Sequence, residues 1–147
     1  MTTDPDAGAT KHWARPILGV RDLAASIAYF RDHLAFEVDW LDQSGPQPSC
    51  GQVSRDGVSL ILDQDAAFPK AAAPSVVSVT LDDSPESPGL ADLHRELAGS
   101  GGRIARPPFK VQWDERIHQM DVEDLDGNVL MYWGHVPKSE NDAGVER

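Results

Sequence analysis

The sequence predicts an α+β protein built from two consecutive βαβββ modules. Three observations support this prediction. An Asp-Gly pair leads directly into an apolar strand at Asp126-Gly127 and again, more weakly, at Asp56-Gly57. Each half also holds one stretch with the apolar periodicity of a helix, and the elements follow the same order in both halves. An isolated Asp-Gly pair is a common hairpin signal, so the repeated order favours duplication more than the turns do.

The first module is predicted over roughly residues 15–63. Asp22 is a good N-cap for its helix, which should end near Ala35. The apolar stripe of this helix consists of Leu23, Ile27, Phe30 and Leu34. Strands are expected at 16–20, 36–41, 51–54 and 58–62, with a loop at 43–48.

The second module is predicted over roughly residues 74–136. Its helix should bury Leu90, Leu93 and Leu97 and end at the glycine-rich stretch 99–102. Strands are expected at 76–81, 117–123 and 129–133, together with one from Arg103 that is interrupted at Pro107-Pro108. Residues 109–113 are expected to be extended or looped. Residues 63–74 form a predicted linker whose aromatic, Phe68, either plugs a surface groove or packs loosely beneath the linker.

The composition and the net charge limit the functions that the protein can have. The chain has 147 residues, 40% of them hydrophobic, and a formal net charge of −11. That size allows a single domain, predicted at 12–136 between a flexible leader (1–11) and a flexible tail (137–147). An acidic surface argues against nucleic acid and anionic membrane as partners and favours a cationic ligand, although solubility alone also explains it.

The single cysteine, Cys50, excludes an internal disulfide and fits a reducing compartment. The first residues are acidic and polar and do not resemble a secretory signal, so we expect a cytoplasmic protein. Cys50 has no obvious activating base nearby in the sequence. His33 and His94 fall on the predicted helices beside the apolar stripes, where a structural role is favoured over metal ligation.

Two motifs bracket the domain. Residues 20–36 (VRDLAASIAYFRDHLAF) and 124–133 (DLDGNVLMYW) resemble the two signatures of the vicinal oxygen chelate superfamily, which includes glyoxalases, dioxygenases and bleomycin resistance proteins. Leu125 and Ala35 depart from the usual Pro and Gly. The resemblance implies two βαβββ modules that form a cup-shaped sheet around a pocket. It also implies a homodimer in which two chains complete or cover the pockets.

Residues 51–61 most resemble bleomycin resistance proteins, which bind a drug and have no catalytic machinery. The likeness is partial, because residues 117–120 (IHQM) depart from the run that those proteins usually have there. The resemblance therefore implies a metal-free small-molecule-binding protein that sequesters a cationic or aromatic drug or metabolite. The alternative is a metal-dependent lyase, isomerase or dioxygenase of the same superfamily with relocated ligands.

In the metal-dependent relatives, His, Gln or Glu ligands lie on the first and last strand of each module. The resemblance places Arg15, Val76, either Leu60 or Ile61, and Met131 at these four positions. None of them suits Zn²⁺, Ni²⁺, Fe²⁺ or Mn²⁺, so we expect no metal, no cofactor and no catalytic residue. A two-residue shift of register would instead bring in Gln52, Gln119 or Asp121 as ligands.

The candidate pocket combines aromatic walls with a few polar groups. Gln119 and Asp121 have the opposite strand parity to Met120 and Val122, so the first pair should face the cup if the second pair faces the helix. Tryptophans could hold a flat or cationic ligand, although any single one could be a core residue, and Arg15 could pair with Asp121 or with a ligand carboxylate. The predicted pocket residues are Arg15, Ile17, Trp40, Phe68, Trp113, Gln119, Asp121, Met131 and Trp133.

Overall fold

The computed structural model describes residues 12–64, 74–82 and 89–135, which form two helices and eight strands. The elements are β1 (Ile17–Gly19), α1 (Leu23–His33), β2 (Glu37–Leu41), β3 (Cys50–Arg55), β4 (Val58–Asp63), β5 (Val76–Thr80), α2 (Leu90–Gly99), β6 (Arg103–Lys110), β7 (Ile117–Glu123) and β8 (Val129–His135). This order confirms the predicted tandem of βαβββ modules. The predicted leader and tail, and Phe68 in the linker, lie outside the described residues.

Each module forms its own four-stranded sheet. The strand order is β1-β4-β3-β2 in the first sheet and β5-β8-β7-β6 in the second. In both sheets the first strand pairs in parallel with the last strand of its module, and the other pairs are antiparallel. The two sheets therefore share one topology, as duplication predicts, and they do not close into a barrel.

Helix α1 forms where the sequence predicts it. The Asp22 carboxylate caps it by accepting a 3.1 Å hydrogen bond from the Ala25 amide, which satisfies one of the free donors of the first turn. The predicted apolar stripe is buried, and Phe30 is completely inaccessible to solvent. The helix ends at His33, and Ala35 then adopts a left-handed conformation with φ of 60°, where glycine is the unstrained residue.

Helix α2 also buries its predicted stripe, Leu90, Leu93 and Leu97. Its C-terminus uses the predicted glycines. Gly101 has φ of 86°, and this turn lets the Gly102 amide donate to the Leu97 carbonyl at 2.8 Å, which satisfies an acceptor that the helix leaves open.

The two Asp-Gly turns differ in structure. Asp56 and Gly57 both have positive φ and close a two-residue hairpin between β3 and β4, as a type I′ turn requires. The second turn is a longer loop, 124–128, organised by the buried carboxylate of Asp124. That carboxylate accepts hydrogen bonds from the Asn128 amide at 2.7 Å and from the Asp126 amide at 2.9 Å. Burial raises the pKa of Asp124, and these hydrogen bonds oppose the rise.

The predicted interruption at Pro107-Pro108 is wrong, because β6 runs through both prolines. The strand absorbs them through two register shifts, one between Ile104 and Arg106 and one between Arg106 and Phe109. A proline has no amide proton to give to a ladder, and only an edge strand tolerates that loss on its outer side. Since β6 lies at the edge of the second sheet, the strand survives.

Side-chain contacts with the facing module hold the modules together above a shared apolar core. Tyr29 of α1 donates to the Glu123 carbonyl and accepts from the Arg103 amide. Arg55 makes a bidentate ion pair with Glu96 of α2. His33 bonds the Ser100 carbonyl at 2.6 Å, which is the structural role predicted for it.

Candidate functional site

Each sheet has one face packed against its helix and one open face. On β7, Met120 and Val122 are fully buried on the helix side, whereas Gln119 and Asp121 are only partly buried. The same alternation on β8 leaves Met131 and Trp133 on the open face, because successive side chains of a strand point to opposite sides. The parity argument from the sequence therefore holds for Gln119 and Asp121.

Two tryptophans meet on the open face of the second sheet. The rings of Trp113 and Trp133 lie 5.6 Å apart between centroids and are tilted by 45°. They border a cavity of about 220 Å³ that is also lined by Ile117 and by the side chains of Ser78 and Thr80 on β5. Pockets for drug-sized ligands are generally larger, from about 300 Å³ upwards. This cavity therefore accommodates a single ring, and a larger ligand needs a further wall.

The Trp133 indole leaves one donor without an acceptor. Its Nε1 is buried and has no hydrogen-bond partner in the described part of the chain. A buried donor left unpaired costs about 1–3 kcal/mol, and an acceptor on a bound molecule or a water would remove that cost.

Polar groups continue this face away from the tryptophans. Gln119 lies opposite Trp133 and Asp121 lies opposite Met131 in the ladder between β7 and β8. The Gln119 amide donates to the Asp121 carboxylate at 2.9 Å. At the adjacent edge strand, the Arg106 guanidinium stacks on the Phe109 ring, 3.6 Å from its centroid, so this end of the face presents a cation as well as a carboxylate. Sequence reasoning missed Arg106 and Phe109, because the bulges around the proline pair aim their side chains.

A second cluster of polar side chains occupies the open face of the first sheet. Arg15 donates to the Gln52 side chain at 2.6 Å, and Gln52 in turn donates to Asp39 at 2.8 Å. Ser54 donates to the other oxygen of Asp39 at 2.8 Å. The predicted residue Trp40 lies opposite Gln52, because a bulge after Val38 places both Asp39 and Trp40 on this face. The sequence pattern did not predict this bulge.

The structure thus brings the predicted pocket residues together as two groups, one on each sheet. Arg15, Ile17 and Trp40 belong to the first sheet, and Ile17 pairs with Ile61 there. Trp113, Gln119, Asp121, Met131 and Trp133 belong to the second sheet. The suggested pairing of Arg15 with Asp121 is wrong, since Arg15 contacts Gln52 and Asp121 contacts Gln119.

The four positions at which the resemblance implied metal ligands do not offer donors that suit a divalent metal. The choice between Leu60 and Ile61 is settled by burial, because Leu60 is fully buried on the helix side and Ile61 lies on the open face. Val76 offers no donor atom, and Arg15 is a permanent cation. Among the described residues, no group of three or more His, Cys, Asp or Glu side chains could hold a metal ion.

Comparison with known proteins identifies the family. A family model described as "Glyoxalase superfamily protein" matches residues 8–137. The chain belongs to the glyoxalase superfamily. A search of curated protein sequences finds no match. None of the helices in the described segments is long and apolar enough to span a membrane.

The folds of several solved structures agree with this family membership. TioX from Micromonospora sp. ML1 is 14% identical, with a TM-score of 0.63 over 85% of this chain and 100% of that chain. A glyoxalase/bleomycin resistance protein/dioxygenase superfamily member from Sphaerobacter thermophilus is 17% identical, with a TM-score of 0.64 over 83% of this chain and 96% of that chain. A bleomycin-binding protein, complexed with bleomycin, is 22% identical, with a TM-score of 0.63 over 86% of this chain and 100% of that chain. At these identities the superfamily fold is what the chains share.

Proposed function

We propose that this glyoxalase-superfamily chain is a metal-free binding protein that sequesters a small cationic or aromatic molecule on the open face of its second sheet. The observation that carries the proposal is the pair of Trp113 and Trp133 at the mouth of an apolar cavity, with the Trp133 indole donor left unpaired. Aromatic walls stack on flat rings and attract cations through their π faces.

Charge supports the cationic part of this ligand class. The chain carries −11 overall, and Asp121 adds a carboxylate to the same face as the tryptophans. Steering by such a field raises the rate of encounter with a cation and weakens as salt increases. The bleomycin-binding relative, named for its ligand, makes a bleomycin-type glycopeptide a suitable first probe, and the proposed roles are protection against a drug or storage of a metabolite in the cytoplasm.

Tryptophan emission tests this proposal. Titration with a bleomycin-type glycopeptide should quench the emission, with weaker binding at high salt. Trp113→Leu should weaken binding by roughly tenfold, because losing an aromatic contact costs on the order of 1 kcal/mol or more. Trp13→Leu is the matched control, because Trp13 is exposed and does not line this cavity, and it should bind as the parent chain does. Emission unchanged at millimolar probe would exclude this ligand class.

We also propose that two chains pair through their open faces. Large apolar side chains are exposed there, among them Val76 at 58%, Trp113 at 66% and Trp40 at 40%. A partner chain would cover them and supply the further wall that the 220 Å³ cavity needs. Sedimentation at micromolar concentration should show a dimer, and a single 16.0 kDa species would contradict the pairing.

A metal-dependent lyase, isomerase or dioxygenase remains the second candidate because of one observation. Gln52 on β3 and Gln119 on β7 occupy corresponding strands of the two modules, and each has a carboxylate within hydrogen-bond distance. Oxygen donors of this kind suit Mn²⁺ or Mg²⁺. Dialysis against Ni²⁺, Zn²⁺, Mn²⁺ and Fe²⁺ in turn, followed by metal analysis and by assays of methylglyoxal–glutathione isomerisation and catechol cleavage, separates the two. Near-stoichiometric metal with either activity would establish the enzyme.

A further inference from the structure

A cavity lies on the opposite side of the second sheet from the tryptophans, where the two modules meet. It has a volume of about 370 Å³ and is enclosed by the β3–β4 turn, by β5, by one face of α2 and by Tyr132 of β8. We call it the seam cavity. It shares no lining residue with the tryptophan cavity except Thr80, and the proposed function does not use it.

Tyr132 forms the base of the seam cavity. Its side chain is 5% exposed, and its hydroxyl has no hydrogen-bond partner in the segments that the structure describes. The charges of Arg55, Asp56 and Glu96, which line the cavity, act on this hydroxyl, and burial raises the pKa of Tyr132 to about 12. Tyr132 lines the cavity together with these groups, and its phenol stays protonated at neutral pH.

The polar rim of the cavity has an excess of negative charge. The Arg55 guanidinium is shared by two carboxylates, with Glu96 in a bidentate pair at 2.6 Å and Asp56 at 3.1 Å. It also donates to the Leu34 carbonyl at 2.9 Å, so its donors are already engaged. One guanidinium against two carboxylates leaves this rim negative, whereas Asp92, which also lines the cavity, is paired with Arg95. An anion would meet repulsion here, whereas a cation would not.

The inner walls are apolar. Val79 and Leu93 are buried core residues that also line the cavity, together with the half-buried Val58. A volume of about 370 Å³ is within the range of small-molecule sites. The occupant that matches these walls has a short apolar body to cover Val79 and Leu93 and a positive end to face the carboxylates.

We propose that the seam cavity binds a small primary amine in its protonated form, with the ammonium group donating to Tyr132 and to the carboxylates of Asp56 and Glu96 and the apolar part lying against Val79 and Leu93. Tyr132 is suited to this role because it lines the cavity with a hydroxyl that makes no hydrogen bond to another described residue, on a side chain that is only 5% exposed. The carboxylates supply the charge preference that separates an amine from a neutral molecule of the same shape.

Benzylamine and benzyl alcohol test the proposal as a matched pair that differs in charge. Backbone amide spectra of the full chain should show shifts at Val79, Leu93 and Tyr132 with benzylamine, saturating with a dissociation constant near the millimolar range. Benzyl alcohol at the same concentration should leave these amides unchanged. Tryptophan emission should also stay unchanged, because no tryptophan lines this cavity. Absence of amine binding in the seam cavity is therefore distinguishable from absence of ligand binding at the tryptophan cavity.

Two variants and one control assign the contacts. Tyr132→Phe removes only the hydroxyl and should weaken benzylamine roughly threefold to tenfold, the value of one hydrogen bond. Asp56→Asn should weaken it to a similar degree, and the fold survives because Asn-Gly suits the same type I′ turn. Asp32→Asn makes the same change of net charge on exposed α1 and should have no effect.

Three results would overturn the proposal. The first is equal shifts with benzyl alcohol. The second is benzylamine shifts confined to Trp113 and Trp133. The third is unchanged affinity in Tyr132→Phe, provided that the variant's spectrum shows the native fold. The amide spectrum of each variant also shows whether that variant is folded. If Tyr132→Phe does not fold, the affinity of Asp56→Asn for benzylamine provides the test instead.

Discussion

Removal of the hydroxyl should have different effects on stability at two tyrosines that are equally buried. Tyr29 and Tyr132 are each 5% exposed. The Tyr29 hydroxyl donates to the Glu123 carbonyl at 2.5 Å and accepts from the Arg103 amide at 2.9 Å. Tyr29→Phe therefore removes two hydrogen bonds and leaves a backbone donor and a backbone acceptor without this partner at the junction of the modules. We expect a loss of about 2–4 kcal/mol in the free energy of unfolding at neutral pH.

Tyr132→Phe is the matched control, because it removes a hydroxyl that has no partner in the described chain. It should change the free energy of unfolding by less than about 0.5 kcal/mol at neutral pH. Urea titration followed by far-ultraviolet circular dichroism measures both variants, with a shift in midpoint and an unchanged m-value. Hydrogen exchange at the Arg103 amide should accelerate in Tyr29→Phe alone. Equal midpoints for the two variants would refute the role of Tyr29 in joining the modules.

Three further outcomes are expected. Leu34→Ala should cost roughly 2–5 kcal/mol, since this side chain is 1% exposed in the core, and a loss under about 0.5 kcal/mol in urea titration would contradict that placement. Ala35→Gly should stabilise the chain by about 0.5–1 kcal/mol, because Ala35 has φ of 60°, whereas Ala28→Gly inside α1 should destabilise it by a similar amount. Alkali should destabilise the fold. Unfolded tyrosine loses its proton near pH 10.0 and folded Tyr132 near pH 12, so the folded state binds more protons in that window and stability falls as pH rises through it. The contribution of Tyr132 to this loss is on the order of 3 kcal/mol. Melting curves of Tyr132→Phe should lack this contribution and keep that of Tyr29, whose pKa is also raised by burial.

Local sequence was sufficient to predict both helices and every described strand except the second half of β6, which runs through Pro107-Pro108. Asp22 followed by apolar residues at helical spacing determines α1 without reference to the rest of the chain, because a cap and an amphipathic stripe act within a few turns. The Asp56-Gly57 hairpin is local for the same reason, since both residues tolerate positive φ. Strand parity is also local, and it placed Gln119 and Asp121 on the open face.

The grouping of the site residues depended on tertiary structure. The bulges at Asp39 and around Pro107-Pro108 change which side chains share a face, and a bulge is decided by pairing with a neighbouring strand. The same holds for the partner of Arg15, which is Gln52 rather than Asp121.

The difference between Tyr29 and Tyr132 illustrates most simply the boundary between what the sequence determines and what the tertiary structure decides. The sequence places one of them on helix α1, beside the apolar stripe, and the other on strand β8. Whether a buried hydroxyl is bonded depends on backbone groups brought from the other module, such as those of Arg103 and Glu123 for Tyr29. The sequence by itself determined the order of the elements and the parity of the strands that have no bulge, because those follow from interactions between near neighbours. Only the packing of one module on the other decided which polar groups are satisfied and where the two cavities lie, because those depend on residues far apart in the chain.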